Sequence, residues 1–367
     1  MKPIPFLDLS FQTKLIEKKV KFRWDKVIKN SSFVLNEDLI NFENEFSSFT
    51  GIKYSTGVGN GGDAIEILVR SLNLHKKSTI YLPANTFIAT ATSVSRAGYS
   101  FKLIDINLED GLIDIDKLNS INFKNGDCII PVHLFGSMVD MQRVVNSQNK
   151  DLFIIEDASQ AHGATYSGNS PGKFSHGATY SFYPGKNLGA FGDGGLINTN
   201  ISNLDKKVKL LRNYGSPKKY KHEIVGFNSR LDPLQAVVLS EKLKLLNKWN
   251  QMRIDNHKTY INLLNENKNI EFLNNSKNSR NVYHLSVIKT SERDKLMNHL
   301  SEYQISTIIH YPYPLHKTGA FKNYKHKKGE LKNSEIFAKQ ILSLPNYPGL
   351  KESQIEYVCE KINSYFK

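Results

Sequence analysis

Short apolar stretches alternating with amphipathic ones predict an α/β fold, a mainly parallel central sheet flanked by helices, followed by a smaller α+β C-terminal domain. Three observations carry this. Strand-like runs at 54–58, 79–82, 101–105, 128–134 and 152–156 are separated by helical segments, the second and last of these at 86–97 and 139–149. Chemically loaded residues stand where those strands end: a glycine run at 57–62, Asp157, and Lys186. From Asp232 onward the rhythm changes to longer helices with isolated strands.

In chain order, residues 12–30 read as a basic amphipathic helix, with Leu15, Val20, Trp24 and Val27 near one face and packed on the protein. A second helix spans 36–49, where Leu39, Phe42, Phe46 and Phe49 recur at helical spacing. After the strand at 54–58, Ile65, Leu68, Val69 and Leu72 form the stripe of the next helix. Residues 178–182 and the run after Gly195 are strand-like and bracket the lysine stretch. Beyond Pro233 come one long helix or two abutting ones to about Leu264, a strand at 282–288, a helix at 292–303, a strand at 305–310, and helices near 333–343 and 351–366. The expected division is 1–245, the N-terminal segment and large domain, and 246–367, the small domain, on which the N-terminal helices would pack.

The 367 residues, 40% hydrophobic and 23% charged, suit a globular protein with full cores. No signal sequence is read in the opening MKPIPFLDL, and no apolar run approaches the roughly 18–20 residues of a membrane span. Two cysteines, Cys128 and Cys359, make neither a disulfide framework nor a metal cage. A cytoplasmic protein without metal or membrane partner is expected. The net charge of +14 is spread as short lysine pairs rather than a stripe, which excludes nucleic acid and suits an anionic small substrate.

The stretch ATYSFYPGKNLGAFGDGGLIN (178–198) turns at Pro184-Gly185, presents Lys186, and runs through Gly189, Gly192, Gly194 and Gly195. Such glycines allow close backbone approach and positive φ. A lysine desolvated there becomes a Schiff-base nucleophile, whereas an ordinary lysine would be an exposed turn residue. The run Gly57 to Gly62 matches the dinucleotide fingerprint G-x-G-x-x-G after a strand and before a helix. A nicotinamide-linked oxidoreductase would also need an acid about 20 residues on, and after Glu66 the next acid is Asp105. What survives is a helix N-terminus that binds phosphate. A Walker loop fails because Asn187, not Ser or Thr, follows Gly185-Lys186. Asp157 either caps the following turn or pairs with a cationic ring nitrogen. Phosphate seat, strand-end carboxylate and glycine-lined lysine together describe a pyridoxal phosphate (PLP) site.

On these residues the chain resembles the fold-type I nucleotide-sugar aminotransferases of the DegT–StrS group. The matching stretches are FLDL (6–9), GVGNGGDA (57–64), PANTFIATA (83–91), PVHLFG (131–136), EDASQAHGA (156–164), SFYPGKNLGAFGDGG (181–195), LRNYGS (211–216) and GFNSRLDPLQA (226–236). The resemblance implies that Lys186 is the Schiff-base lysine, Asp157 the partner of the pyridine nitrogen, Gln160 the neighbour of the phenolic oxygen, and Phe87 the stacking aromatic. It makes the Gly62 and Asp63 amides and Ser181 phosphate ligands, with Asn228 reaching in from a second subunit of a homodimer with shared sites. Tyr183, Lys219, Tyr220, Arg230, His310 and Tyr311 would line the sugar-nucleotide site. Where the family often carries Thr this chain has Gly62, which removes one hydrogen bond of about 1–3 kcal/mol from the phosphate seat.

Lysine at 186 separates the chain from related sugar dehydratases, which carry histidine there, and two cysteines are too few for the iron–sulfur branch. The implied reaction is a ping-pong transamination with L-glutamate as donor and a nucleotide-linked keto-sugar as acceptor. SFYPGKNLGAFGDGG resembles members that aminate C3 of a dTDP-linked 3-keto-6-deoxyhexose. Amination at C4, a UDP-linked sugar, a nicotinamide-dependent sugar-nucleotide oxidoreductase, and a catalytically idle PLP-binding regulator are the alternatives.

Overall fold

The computed structural model describes residues 3–146 and 151–367. Its centre is a seven-stranded sheet built from β1 (Tyr54–Val58), β2 (Thr79–Pro83), β3 (Ser100–Ile104), β4 (Cys128–Ile129), β5 (Phe153–Asp157), β7 (Gly177–Ser181) and β8 (Gly195–Thr199), with β6 (Thr165–Tyr166) outside it. The strand order is β1-β8-β7-β5-β4-β2-β3. Neighbouring pairs from β7 to β3 are parallel, while β8 runs antiparallel to both β7 and β1. The expected mainly parallel α/β sheet is therefore present, with a single reversed strand.

That topology decides where the chemistry gathers. The ends of β1, β2, β5 and β7 lie at one edge, where open parallel sheets bind ligands. In the register there, Gly195 at the start of β8 stands opposite both Val58 and Ser181.

The helix at Glu37–Thr50 starts where Asn36 Oδ1 accepts the Leu39 N–H at 3.1 Å, and Gly51 ends it in the left-handed conformation. Leu39, Phe42 and Phe46 bury its inner face in the main core. The first helix, Ser10–Lys29, buries Gln12, Ile16, Val20 and Val27 but leaves Leu15 exposed, contrary to the expected face. Its apolar side meets Val237, Val238 and Trp249, and Trp24 Nε1 donates to Leu234 O at 2.8 Å. Both N-terminal helices thus pack on Pro233–Leu243, and the first also reaches the expected small domain at Trp249.

The C-terminal part departs from expectation in detail. The span from Pro233 is two helices, Pro233–Leu243 and Leu246–Leu264. A three-stranded antiparallel sheet contains β9 (Glu271–Phe272), β11 (Ser286–Lys289) and β12 (Ile341–Leu344), while β10 (Ser279–Arg280) pairs with β6. Residues 341–343, read as helix end, belong to β12, and 305–310 forms only isolated bridges, Ile4–Ile305 and Ile308–Ser343. The strand expected at 128–134 stops after two residues, and Leu134–Gly136 is a 3-10 turn. A helix covers Met141–Asn146; positions 147–149 of the expected segment lie outside the described residues. Short apolar runs carry no periodicity that separates strand from turn, which explains these misses. Both cysteines are free and buried. Among the described residues no helix is long and apolar enough to cross a membrane.

Candidate active site

Lys186 follows β7 in a turn closed by its own N–H, which donates to Tyr183 O at 2.9 Å. The glycines beyond it serve close approach rather than left-handed backbone. None of Gly189, Gly192, Gly194 and Gly195 takes a positive φ, but a Cβ on Gly189 would stand 2.3 Å from Pro184 O. On Gly195 it would stand 2.3 Å from Asn60 O. These glycines let the lysine turn fold back on itself and let β8 pass under the loop that follows β1.

Enclosure lowers the Lys186 ammonium to about 8, with the Asp157 carboxylate pulling the other way. A second buried lysine, Lys242, is also brought down to about 8 by burial. Its Nζ, however, donates to Gly189 O at 2.6 Å, which ties it to the back of the loop. Among the described residues no hydrogen bond occupies the Lys186 amine in this way.

Asp157 ends β5 buried, at 5% exposure, without an ion-pair partner among the described residues. Its oxygens accept from Thr90 Oγ1 at 2.9 Å and from the Ser159 N–H at 3.1 Å. Two neutral donors do not offset a buried carboxylate, so this position suits a cationic ring nitrogen. Gln160 accepts the Phe135 N–H at 2.7 Å and donates through Nε2 to the Tyr311 hydroxyl at 3.0 Å. The Tyr311 hydroxyl is pushed well above its ordinary range, first by burial and then by Asp157. Phe87 precedes the helix Ile88–Arg96, keeps 55% of its surface exposed, and lies 5.6 Å from the Tyr311 ring. His310 donates to or accepts from Ser343 Oγ at 2.9 Å, and burial, then Lys186, lowers it to about 4.

The candidate phosphate seat is the N-terminus of the helix Gly61–Ser71. Asn60 Oδ1 accepts the Asp63 N–H at 2.8 Å, so that amide is occupied and the leading glycines supply the free donors. A Cβ on Gly61 would meet Ser181 Cβ at 2.6 Å, which shows how closely the Ser181 hydroxyl borders this terminus. The Asp63 carboxylate points elsewhere, accepting from Ser229 Oγ at 2.8 Å and Arg96 at 3.2 Å. Anion seat, uncompensated carboxylate, amine and aromatic face together fit PLP, and these residues are the ones that would hold it.

The structure therefore brings Lys186, Asp157, Gln160, Tyr311 and His310 to one crevice, with Phe87 at its side and Gly62 and Ser181 at its end. Tyr183 is 61% exposed beside Gly185. The remaining residues keep to their own loop. Arg230 donates to Asn213 Oδ1 at 2.8 Å and lies over Tyr214, Lys219 lies over Tyr220, and Asn228 is exposed and bridges to Asn213. The loop returns to the phosphate seat through Ser229, whose Oγ accepts the Gly59 N–H at 3.0 Å.

Sequence reasoning missed Thr90, Asn187, His284 and Asn250. Thr90 has a visible signal, one turn after Phe87 at the start of the helix. The other three carry none, since Asn250 and His284 reach the lysine turn from distant elements. Asn187 Nδ2 donates to Asn250 Oδ1 at 2.8 Å and Val282 O at 3.2 Å, and Asn250 Nδ2 donates to His162 O at 2.8 Å.

Comparison with known proteins adds the family. The profile described as the DegT/DnrJ/EryC1/StrS aminotransferase family matches residues 15–363. A Geobacillus stearothermophilus protein named pleiotropic regulatory protein is 38% identical over 99% of both chains. The dTDP-3-amino-3,6-dideoxy-alpha-D-galactopyranose transaminase of Aneurinibacillus thermoaerophilus is 36% identical, again over 99% of each. The crystal structure of DesV from S. venezuelae superposes with a TM-score of 0.96 at 34% identity, covering 100% of this chain and 99% of that one.

Proposed function

The chain belongs to the DegT/DnrJ/EryC1/StrS aminotransferase family, PLP-dependent enzymes that act on nucleotide-linked sugars, and from that premise we propose its particular reaction. It moves the amino group of L-glutamate to C3 of a dTDP-linked 3-keto-6-deoxyhexose. The product is a dTDP-3-amino-3,6-dideoxyhexose. The observation that carries the transamination is the pair of Lys186, lowered to about 8, and the buried, unpaired Asp157 at the same sheet edge. The similarity to a 3-amino-3,6-dideoxyhexose transaminase supports C3 and dTDP.

Bound PLP supplies an electron sink that acidifies the bond to be broken at the amino donor's α-carbon. Lys186 Nζ takes that proton and later returns one, a task suited to an amine whose pKa stands near neutrality. Asp157 holds a positive charge on the ring nitrogen, and Thr90 and Ser159 hold Asp157 in place. Gln160 and Tyr311 form one hydrogen-bonded wall, and Phe87 offers a flat apolar face beside it. The Gly62 amide and Ser181 hydroxyl anchor the phosphate, so that the ring cannot slide out of register with Lys186.

The working unit is a homodimer in which Asn228 and the loop carrying Lys219, Tyr220 and Arg230 serve the partner's site. Exposure of Tyr220 (84%) and Val225 (95%) on that loop supports this, because apolar side chains so placed are covered in an assembly.

The test supplies glutamate with 3-keto and 4-keto dTDP-6-deoxyhexoses, and with a UDP-linked 3-keto sugar, and locates the new amine by NMR. Amine at C3 of the dTDP sugar is expected. Amine at C4, or turnover confined to the 4-keto or UDP-linked sugar, overturns the assignment.

A further inference from the structure

We propose that His316, His326 and Glu335 form a binding site for a divalent transition metal of the zinc class, outside the PLP crevice. One ligand atom from each residue lies within 4.8 Å of the other two. His316 Nε2 is 3.0 Å from Glu335 Oε1, a few tenths of an ångström short of the roughly 3.3 Å that separates neighbouring ligands on a tetrahedral metal with bonds of about 2.0–2.1 Å. The two imidazole rings lie 4.7 Å apart at 61°. His326 is exposed, in an irregular segment, and swings inward to complete the set.

A change of tautomer at His316 frees its Nε2 for a metal. A carboxylate only accepts, so Nε2 carries the hydrogen and Nδ1 the lone pair. Nδ1 is buried and has no partner among the described residues, and the His316 side chain is fully buried. When a metal takes Nε2, its hydrogen moves to Nδ1 and the ring stays neutral. His316 gives up its hydrogen bond to Glu335, whose oxygen becomes the adjacent ligand, and His326 its long contact to Tyr324 O at 3.5 Å. Lys317 Nζ, 3.2 Å from the same oxygen, is displaced from a half-exposed ion pair of little worth. The lysines at 317, 322, 325, 327 and 328 make this surface unsuitable for a hard cation held by charge. Two imidazoles and one carboxylate suit zinc instead.

The fold holds both ends of this site. The Leu315 N–H donates to Ala84 O at 2.8 Å, in the loop that leads to Phe87. Tyr324 accepts the Leu103 N–H at 2.7 Å, stacks on Phe101 at 5.7 Å, and lies 6.1 Å from the His326 ring. A metal here would clip the chain between Tyr311 and Glu335 onto the outer edge of the crevice.

The test titrates Zn²⁺ into untagged, PLP-loaded protein against a chromophoric chelator, alongside His326→Ala and Glu335→Gln. One zinc per chain is expected for wild type, with affinity about tenfold or more weaker in each variant. Zinc should raise the melting temperature of wild type but not of His326→Ala, a change at an exposed side chain. Absence of zinc uptake by wild type overturns the proposal. So does His326→Ala binding zinc as wild type does.

Discussion

His284 Nδ1 lies 3.0 Å from Asn187 Oδ1, one residue beyond Lys186, the proposed Schiff-base lysine. The Asn187 amide cannot be reversed, because its Nδ2 already donates to the Val282 carbonyl. Its oxygen therefore accepts, and His284 must carry its hydrogen on Nδ1. Burial, and after it Lys186, keeps this ring neutral, well below its ordinary value. The pair fixes the lysine turn without placing a second fixed positive charge beside the amine.

Asn187→Asp should convert that relationship into an ion pair. A carboxylate facing Nδ1 favours the imidazolium, and its negative charge also raises the Lys186 amine. The acid limb of the rate–pH profile should move to higher pH, with PLP still bound. Asn187→Ala should instead leave buried donors and acceptors unpaired and cost about 1–3 kcal/mol in unfolding measurements. An unmoved profile in Asn187→Asp would show that the pair does not act on Lys186.

Asp157→Asn removes the charge while keeping the shape that Thr90 and Ser159 hold. Turnover should fall by about a hundredfold or more, as for loss of a preorganised electrostatic partner. Thr90→Val removes one donor to a carboxylate and should cost about tenfold or less. Steady-state assays of both variants check the order; a Thr90→Val as damaged as Asp157→Asn would contradict it.

Both results bear on what could be read in the chain itself. Lys186, Asp157 and the glycine run before the helix were legible because each stands at a strand end, and strand ends of a parallel sheet share an edge. Gln160, Phe87, His310 and Tyr311 were legible only through resemblance, and the structure does bring them to that edge. Asn187, Asn250 and His284 were not legible. Their contacts join residues far apart in sequence, and no spacing or periodicity announces a hydrogen bond between separate elements. The strand at 341–344 was hidden for a related reason, since a short buried apolar run reads equally as the end of a helix.

Buried neutral histidines set the acid stability. His162 and His257 are held down to about 3 and His310 to about 4, in each case first by burial, against an ordinary value of 6.5. Unfolded, these rings take up protons as pH falls below about 6.5, while folded they stay neutral down to those lowered values. The unfolded state binds more protons throughout that window, so stability is lost as pH falls from about 6.5 toward 4. Melting temperatures across pH 4–8 should show the decline, and His257→Gln should make it shallower. A flat profile would contradict the burial of neutral rings.

Shared sites predict complementation. Inactive Lys186→Ala and an inactive Asn228→Ala, mixed and allowed to exchange subunits, should regain part of the wild-type activity, because one site of each hybrid is intact. No recovery after verified exchange would place Asn228 in its own chain's site.

The central claim is that Lys186 is the residue that bonds to PLP, and it has one direct chemical test. Borohydride reduction of the PLP-loaded protein, followed by peptide mapping, should leave the cofactor's mass on the peptide containing Lys186, and Lys186→Ala should take up no label. The label on Lys242, the other lysine lowered to about 8, would contradict the account, as would no label on any lysine.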